Sequence, residues 1–129
     1  MPTGLTRDAG WEIGVSRTLP HPPAAVWDLA SGPQGLALWL GAGAELTPER
    51  GSAYRTADGT EGEVRGYRPG ERIRLAHGAT TVQMTVSPAG GGTGAVLRFH
   101  EERLRSAGER EARRAHWKRV MDEIAAVLG

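Results

Sequence analysis

Between Ser106 and Leu128 the chain carries its most regular pattern. Trp117, Val120, Met121, Ile124 and Leu128 recur at i, i+3, i+4, i+7 and i+11, the spacing that gathers apolar side chains on one side of an α-helix. Ser106, followed three residues later by Glu109, forms a capping box that can start this helix. A helix of about 22 residues is roughly 33 Å long at ~1.5 Å rise per residue. That is enough to lie across a sheet of about five or six strands. An apolar stripe of such length needs an apolar surface of matching extent, so the rest of the chain must build one.

The segment from Ala44 to Leu104 can build it. "GSAYRT" leads to Asp58-Gly59, a hairpin signal. "EGEVRGY" leads to Pro69-Gly70, suited to the centre of a type II turn. "ERIRLAH" ends at Gly78, and "TTVQMTVS" places Val82, Met84 and Val86 on one face. After the loop "AGGGTG", the stretch "AVLRFHEERL" sets Ala95, Leu97 and Phe99 against Val96, Arg98 and His100. Short strands at regular spacing predict an antiparallel meander. Upstream, Trp11, Ile13 and Val15 alternate with Glu12, Gly14 and Ser16 as a further strand. Pro22-Pro23 then opens a short helix to about Ala30, with Gly32 as a left-handed stop, and Pro33 starts a second helix bearing Leu36, Trp39 and Leu40. The expected fold class is α+β. A curved antiparallel sheet of about six strands wraps around the C-terminal helix, and two short helices after the first strand close one end.

At 129 residues the chain is read as a single domain over 1–129, with residues 1–10 as a flexible N-terminal extension. There are no cysteines, which excludes disulfides, thiolate metal sites and a cysteine nucleophile. That absence suits a cytoplasmic location. "MPTGLTRDAG" lacks the apolar run of a secretory signal. No stretch reaches the roughly 18 apolar residues of a membrane span. Sixteen basic residues against 15 acidic ones leave a net charge of +1, too balanced for a general nucleic-acid binder.

Four segments together resemble the START-like, or SRPBCC, superfamily, whose fold is called the helix grip. They are "SRTLPHPPAAVWDLAS", "GLALWL", "DGTEGEVRGYRPGERIRLAH" and "HWKRVMDEIAAVL". Within the superfamily they look like the branch of homologues of the activator of the ninety-kilodalton heat-shock chaperone's ATPase. The resemblance runs from about Ile13 to Leu128. It implies a cavity under the long helix; members hold lipids, sterols, plant hormones or polyketide-like molecules there. Some are aromatase/cyclases, and some sequester toxic natural products. The branch often has Gly before the helix tryptophan, where this chain has His116. No family-wide catalytic motif exists to carry over.

Under that reading the cavity candidates are Trp39, Tyr54, His77, Met84, Phe99, Trp117 and Met121. Trp27 is read as a core anchor between the first helix and the sheet. His77 faces inward if it continues the face of Ile73 and Leu75, and otherwise ends its strand half in water. Glu63, Arg65, His77 and Arg98 are the strand residues that acid–base chemistry could use. His100, Glu101, Glu102 and His116 lack metal-site spacing, so no metal and no cofactor is expected. His100 and His116 are read as ordering the junction between the last strand and the helix. Arg110, Arg114 and Lys118 form a basic stripe offset by Glu109–Arg113 and Glu111–Arg114 pairs, a solvated face. No phosphate-binding glycine loop or Gly-x-Ser-x-Gly elbow is present.

The sequence thus predicts a domain that binds a small hydrophobic molecule (a lipid, polyketide or other aromatic natural product) in an internal, mostly apolar cavity. Its partners are that ligand, with no nucleic acid and no membrane insertion, and a homodimer is compatible with it. Two alternatives stay open: an aromatase/cyclase-like enzyme using the same cavity, and a chaperone-activator-like interaction module.

Overall fold

The structure, a computed structural model, describes residues 4–6 and 10–129. The chain runs β1 (Leu5–Thr6), β2 (Gly10–Leu19), α1 (Pro23–Ser31), α2 (Pro33–Trp39), β3 (Ala53–Arg55), β4 (Glu61–Arg68), β5 (Arg72–His77), β6 (Thr80–Pro88), β7 (Ala95–Leu104) and α3 (Ala107–Leu128). One curved antiparallel sheet takes the order β1-β2-β7-β6-β5-β4-β3. This is the expected helix-grip architecture, with the two-residue β1 added at one edge. Much of the N-terminal extension proposed from the sequence, residues 1–3 and 7–9, lies outside the described residues. Leu5–Thr6 pairs with Gly10 and Trp11.

Strand register places the apolar positions in rows. Ile13, Glu101, Val82, Leu75 and Val64 form one row across five strands. Val15, Phe99, Met84 and Ile73 form the next. Onto this face α3 lays Trp117, Val120, Met121 and Ile124, all buried. Phe99 stacks on Trp117 with ring centres 4.8 Å apart, and Trp39 packs on Phe99 at 5.5 Å. Rings at these distances add to the stabilisation from burial alone.

The two short helices close one end of the sheet, as their prolines at N1 suggested. Gly32, expected as a left-handed stop, is instead extended at φ −85° and ψ 175°. It both ends α1 and begins α2. The residue this corner requires to be glycine is Gly35, where a Cβ would stand 2.7 Å from Ala30 Cα and run into the Leu29 carbonyl. Trp27 is the anchor expected, 8% exposed and edge-on to Tyr67. The Pro69-Gly70 turn closes as predicted, with Gly70 at φ 81° and Glu71 N–H donating to Arg68 O. At α3, Ser106 Oγ accepts from Glu109 N–H, while the Glu109 carboxylate accepts from Arg105 N–H, one residue before the cap.

One irregularity shapes the site. Ile13 pairs with Glu101 but Trp11 pairs with Leu104, so two residues of β7 oppose Glu12 alone. This is a β-bulge. It is made by Arg103, the one non-glycine residue with positive φ among those described, at 67°. The bulge resets the alternation, and Leu104 turns inward beside Glu101 instead of outward.

Candidate functional site

A cleft of about 480 Å³ opens at the end of the molecule where the bulge lies. Its apolar wall is Leu38, Trp39 and Leu40 from α2 and its end, with Leu104 from β7. Its polar wall is His77 and Thr80 at the β5–β6 turn, Glu101 on β7, and Arg113 and His116 on α3. Asp58 and Thr60, from the β3–β4 hairpin, and Arg105 and Glu109 stand at the rim.

Glu101 is the centre of the polar wall. It continues the inward series Ala95, Leu97, Phe99 and is 2% exposed. A buried carboxylate needs donors to replace water, and three are in place. Arg113 Nε lies 2.7 Å from Oε1 and Trp117 Nε1 2.9 Å from the same atom, while Thr80 Oγ1 donates to Oε2 at 2.7 Å. Arg113 also covers the Trp117 ring, at 5.4 Å. The expected Glu109–Arg113 pair is therefore not made. Arg113 turns inward to Glu101, and Glu109 pairs with Arg105 instead.

Two imidazoles flank this carboxylate. Burial lowers the pKa of His116 to about 4, reinforced by the nearby Arg113 charge and opposed by Glu101. Its Nε2 is buried with no hydrogen-bond partner. His77 is likewise held below the usual histidine value, first by burial, with Glu101 acting in the other direction. Both rings are thus neutral near pH 7. His77 Nδ1 lies 2.6 Å from Tyr54 Oη, and the two rings stack at 5.9 Å. Burial pushes the Tyr54 hydroxyl above the usual tyrosine value, so it keeps its proton. Tyr54 Oη also reaches Ala76 O at 3.3 Å, but the contact to Nδ1 is the shorter. The single hydroxyl proton goes to Ala76 O or to Nδ1, and in either arrangement the contact fixes the His77 ring through Nδ1. Gly62 makes the stack possible, because a Cβ there would collide with the Tyr54 ring and the Ala76 carbonyl.

Asp58 is set by its own turn. Thr60 N–H donates to Oδ1 at 3.0 Å and Thr56 Oγ1 donates to the same oxygen. These bonds, Thr56 first, lower its pKa to about 2 and fix a negative charge at the rim.

The candidates drawn from the sequence separate into two groups. Trp39 and His77 line the cleft, and Tyr54 supports His77 from behind. Met84, Phe99, Trp117 and Met121 lie in the core between sheet and helix, and the cleft does not reach them. Trp39 belongs to both, since its ring packs on Phe99 and its Nε1 donates to Ala30 O at 2.8 Å. Glu63 and Arg65 pair with each other at the surface, and Arg98 is exposed on the outer face. His100 and His116 do not meet. His100 faces Glu12 at 3.5 Å on the outer face of the sheet, where Glu12, His100 and Glu102 bring one ligand atom each within 4.8 Å of one another. Glu101 was missed as a site residue. The signal was the β7 alternation itself, which puts an acid in the next inward position after Phe99.

The model of the family described as "Activator of Hsp90 ATPase homolog 1-like protein" matches residues 20–129. The chain belongs to this family, within the START-like superfamily. No curated protein sequence matches it. Among solved structures it is similar to CV1439 from Chromobacterium violaceum, with 26% identity, TM-score 0.70, and 90% of this chain and 96% of that one covered. It shares its fold with CalU16 from Micromonospora echinospora, at TM-score 0.75 and 16% identity, covering 91% of this chain and 73% of that one. It also shares it with DynU16, a protein in the dynemicin biosynthetic locus, at TM-score 0.73 and 23% identity, covering 91% of this chain but only 46% of that one. No helix among the described residues is long and apolar enough to cross a membrane.

Proposed function

We propose that this family member binds a small amphipathic organic molecule in the end cleft. Its apolar part lies against Leu38, Trp39, Leu40 and Leu104, and its hydrogen-bonding group meets His77, His116 and Glu101. The observation that carries this reading is the buried Glu101 carboxylate, held by Arg113, Trp117 and Thr80 and facing an apolar wall. A few convergent polar groups opposite apolar side chains, in a volume within roughly 300–1,000 Å³, are the usual make-up of a small-molecule site. The sequence suggested a small hydrophobic molecule in a mostly apolar cavity under the helix. The polar wall favours one with an apolar body and a polar end. The likeness to DynU16, a protein of a biosynthetic locus, makes natural products a class to screen.

The test is native mass spectrometry and thermal shift against a panel of fatty acids, aromatic polyketides and related phenols. A stabilising hit that weakens at least tenfold in Glu101→Gln or His77→Gln supports the proposal. Hits that bind both variants as well as the native protein would contradict it.

Acid–base catalysis on the bound molecule is a second reading, favoured by the Tyr54–His77 pair, which fixes the ring at Nδ1 and leaves Nε2 for the bound molecule. It requires turnover of a bound compound that His77→Gln abolishes while binding persists. An interaction module would expose an apolar patch, yet Val127 is the only large hydrophobic side chain exposed among the described residues.

A further inference from the structure

A second hollow, of about 500 Å³, lies on the other side of the β5–β6 turn from the end cleft. Its walls are four arginines brought from four places in the chain: Arg50 before β3, Arg65 on β4, Arg74 on β5 and Arg103 on β7. Its floor is built from small residues, Ala76, Gly78, Ala79 and Thr81 with Thr80 alongside, so the long side chains stand around an open hollow. Four like charges around one hollow in a chain of net charge +1 are a strong local concentration.

The neighbouring acids neutralise only part of it. Arg65 pairs with Glu63 at 2.9 Å, and Arg74 pairs with Glu102 and donates to Gln83. No acidic partner meets Arg50 or Arg103 among the described residues. The hollow therefore keeps two uncompensated positive charges. The paired guanidinium groups still have N–H donors to offer, since each carries five. Arg103 sits there at φ 67°, a conformation costly for a residue with a Cβ. The bulge that turns Leu104 into the end cleft is the same feature that holds Arg103 at this outer hollow. An arginine kept at a strained position, where glycine would be free of strain, points to a use for its side chain.

We propose that this hollow binds a soluble anion carrying two or more negative charges, of the phosphate-monoester or diphosphate class. Planar guanidinium groups meet phosphate oxygens in pairs of parallel hydrogen bonds, and two unmatched charges call for at least a dianion. The near-neutral whole-chain charge favours a small molecule over a nucleic acid.

Isothermal titration with inorganic pyrophosphate tests this on the full chain, with phosphatidic acid vesicles as a second arm. Arg103→Gly is the key variant, because glycine suits φ 67° and leaves the fold intact; a melting temperature no lower than native checks this. Arg50→Gln is its companion, and Arg114→Gln on exposed α3 is the control. Expected are one-to-one binding that weakens with salt, at least tenfold loss in Arg103→Gly and Arg50→Gln, and no change in Arg114→Gln. No binding at millimolar pyrophosphate, binding to vesicles alone, or equal loss in the Arg114 control would overturn the proposal.

Discussion

Replacing Glu101 by Ala should be among the most costly single changes on the cleft wall. The carboxylate accepts from Arg113, Trp117 and Thr80, and the residue is 2% exposed. A hydrogen bond to a charged group contributes about 1.5–3 kcal/mol, and a buried donor left unpaired costs about 1–3 kcal/mol. Breaking a fully buried ion pair by removing one partner costs about 3–5 kcal/mol. Arg113 is 30% exposed and can turn back to water, which places the expected loss for Glu101→Ala at the low end, about 3 kcal/mol. Glu101→Gln keeps an acceptor for the Trp117 indole but loses the charge, so about 1–2 kcal/mol is expected. Urea unfolding at pH 7 measures both. With an m-value of about 2 kcal/mol/M, the alanine variant should unfold at a midpoint lower by about 1.5 M. Replacing both charged partners, as in Glu101→Met with Arg113→Met, should restore only part of the lost stability, because the ion pair's desolvation cost is removed while the buried Trp117 Nε1–H stays unpaired. An alanine variant within about 0.5 kcal/mol of native, inside the usual range for surface changes, would refute the view that Glu101 is a buried, fully bonded carboxylate.

Gly35→Ala should destabilise by about 3 kcal/mol or more, as expected where added volume meets unyielding backbone; thermal melting checks it, and a loss below about 1 kcal/mol would show that α1 and α2 can part there. The folded pKa of His116, about 4, lies below its ordinary 6.5, so the unfolded chain binds more protons between those values and stability should fall as pH drops from 6.5 towards 4. His116→Phe should flatten that part of the pH profile, as read by urea midpoints at pH 7 and 4.5. Trp39→Phe removes the indole N–H that serves Ala30 O and should cost about 1–2 kcal/mol by denaturant unfolding, with ligand affinity reduced as well.

The elements were legible because their signals are local. The stripe from Trp117 to Ile124 is the buried face of α3, and Val82, Met84 and Val86 are the buried face of β6. Paired prolines and Asp-Gly or Pro-Gly turns set the boundaries for the same reason. The site was legible only in part. His77 does continue the Ile73 and Leu75 face, as its spacing allowed, but its link to Tyr54 depends on the pairing of β3 with β4 and on Gly62. Glu101 stood in an inward position by alternation, yet an acid there reads as surface until Arg113, Trp117 and Thr80 are brought to it from α3 and β6. The bulge at Arg103 shifts parity by one residue, which no periodicity argument detects. Met84, Phe99, Trp117 and Met121 look the same in sequence whether they line a void or fill it, because both need apolar side chains at the same spacing.

A crystal structure with the tightest binder from the ligand screen tests the central claim most directly. The molecule should sit against Leu38, Trp39 and Leu104, its polar end within hydrogen-bond reach of His77, His116 or Glu101, with the Phe99–Trp117 stack undisturbed. A molecule lodged between Phe99 and Trp117 under α3, or bound away from the end cleft altogether, would contradict it.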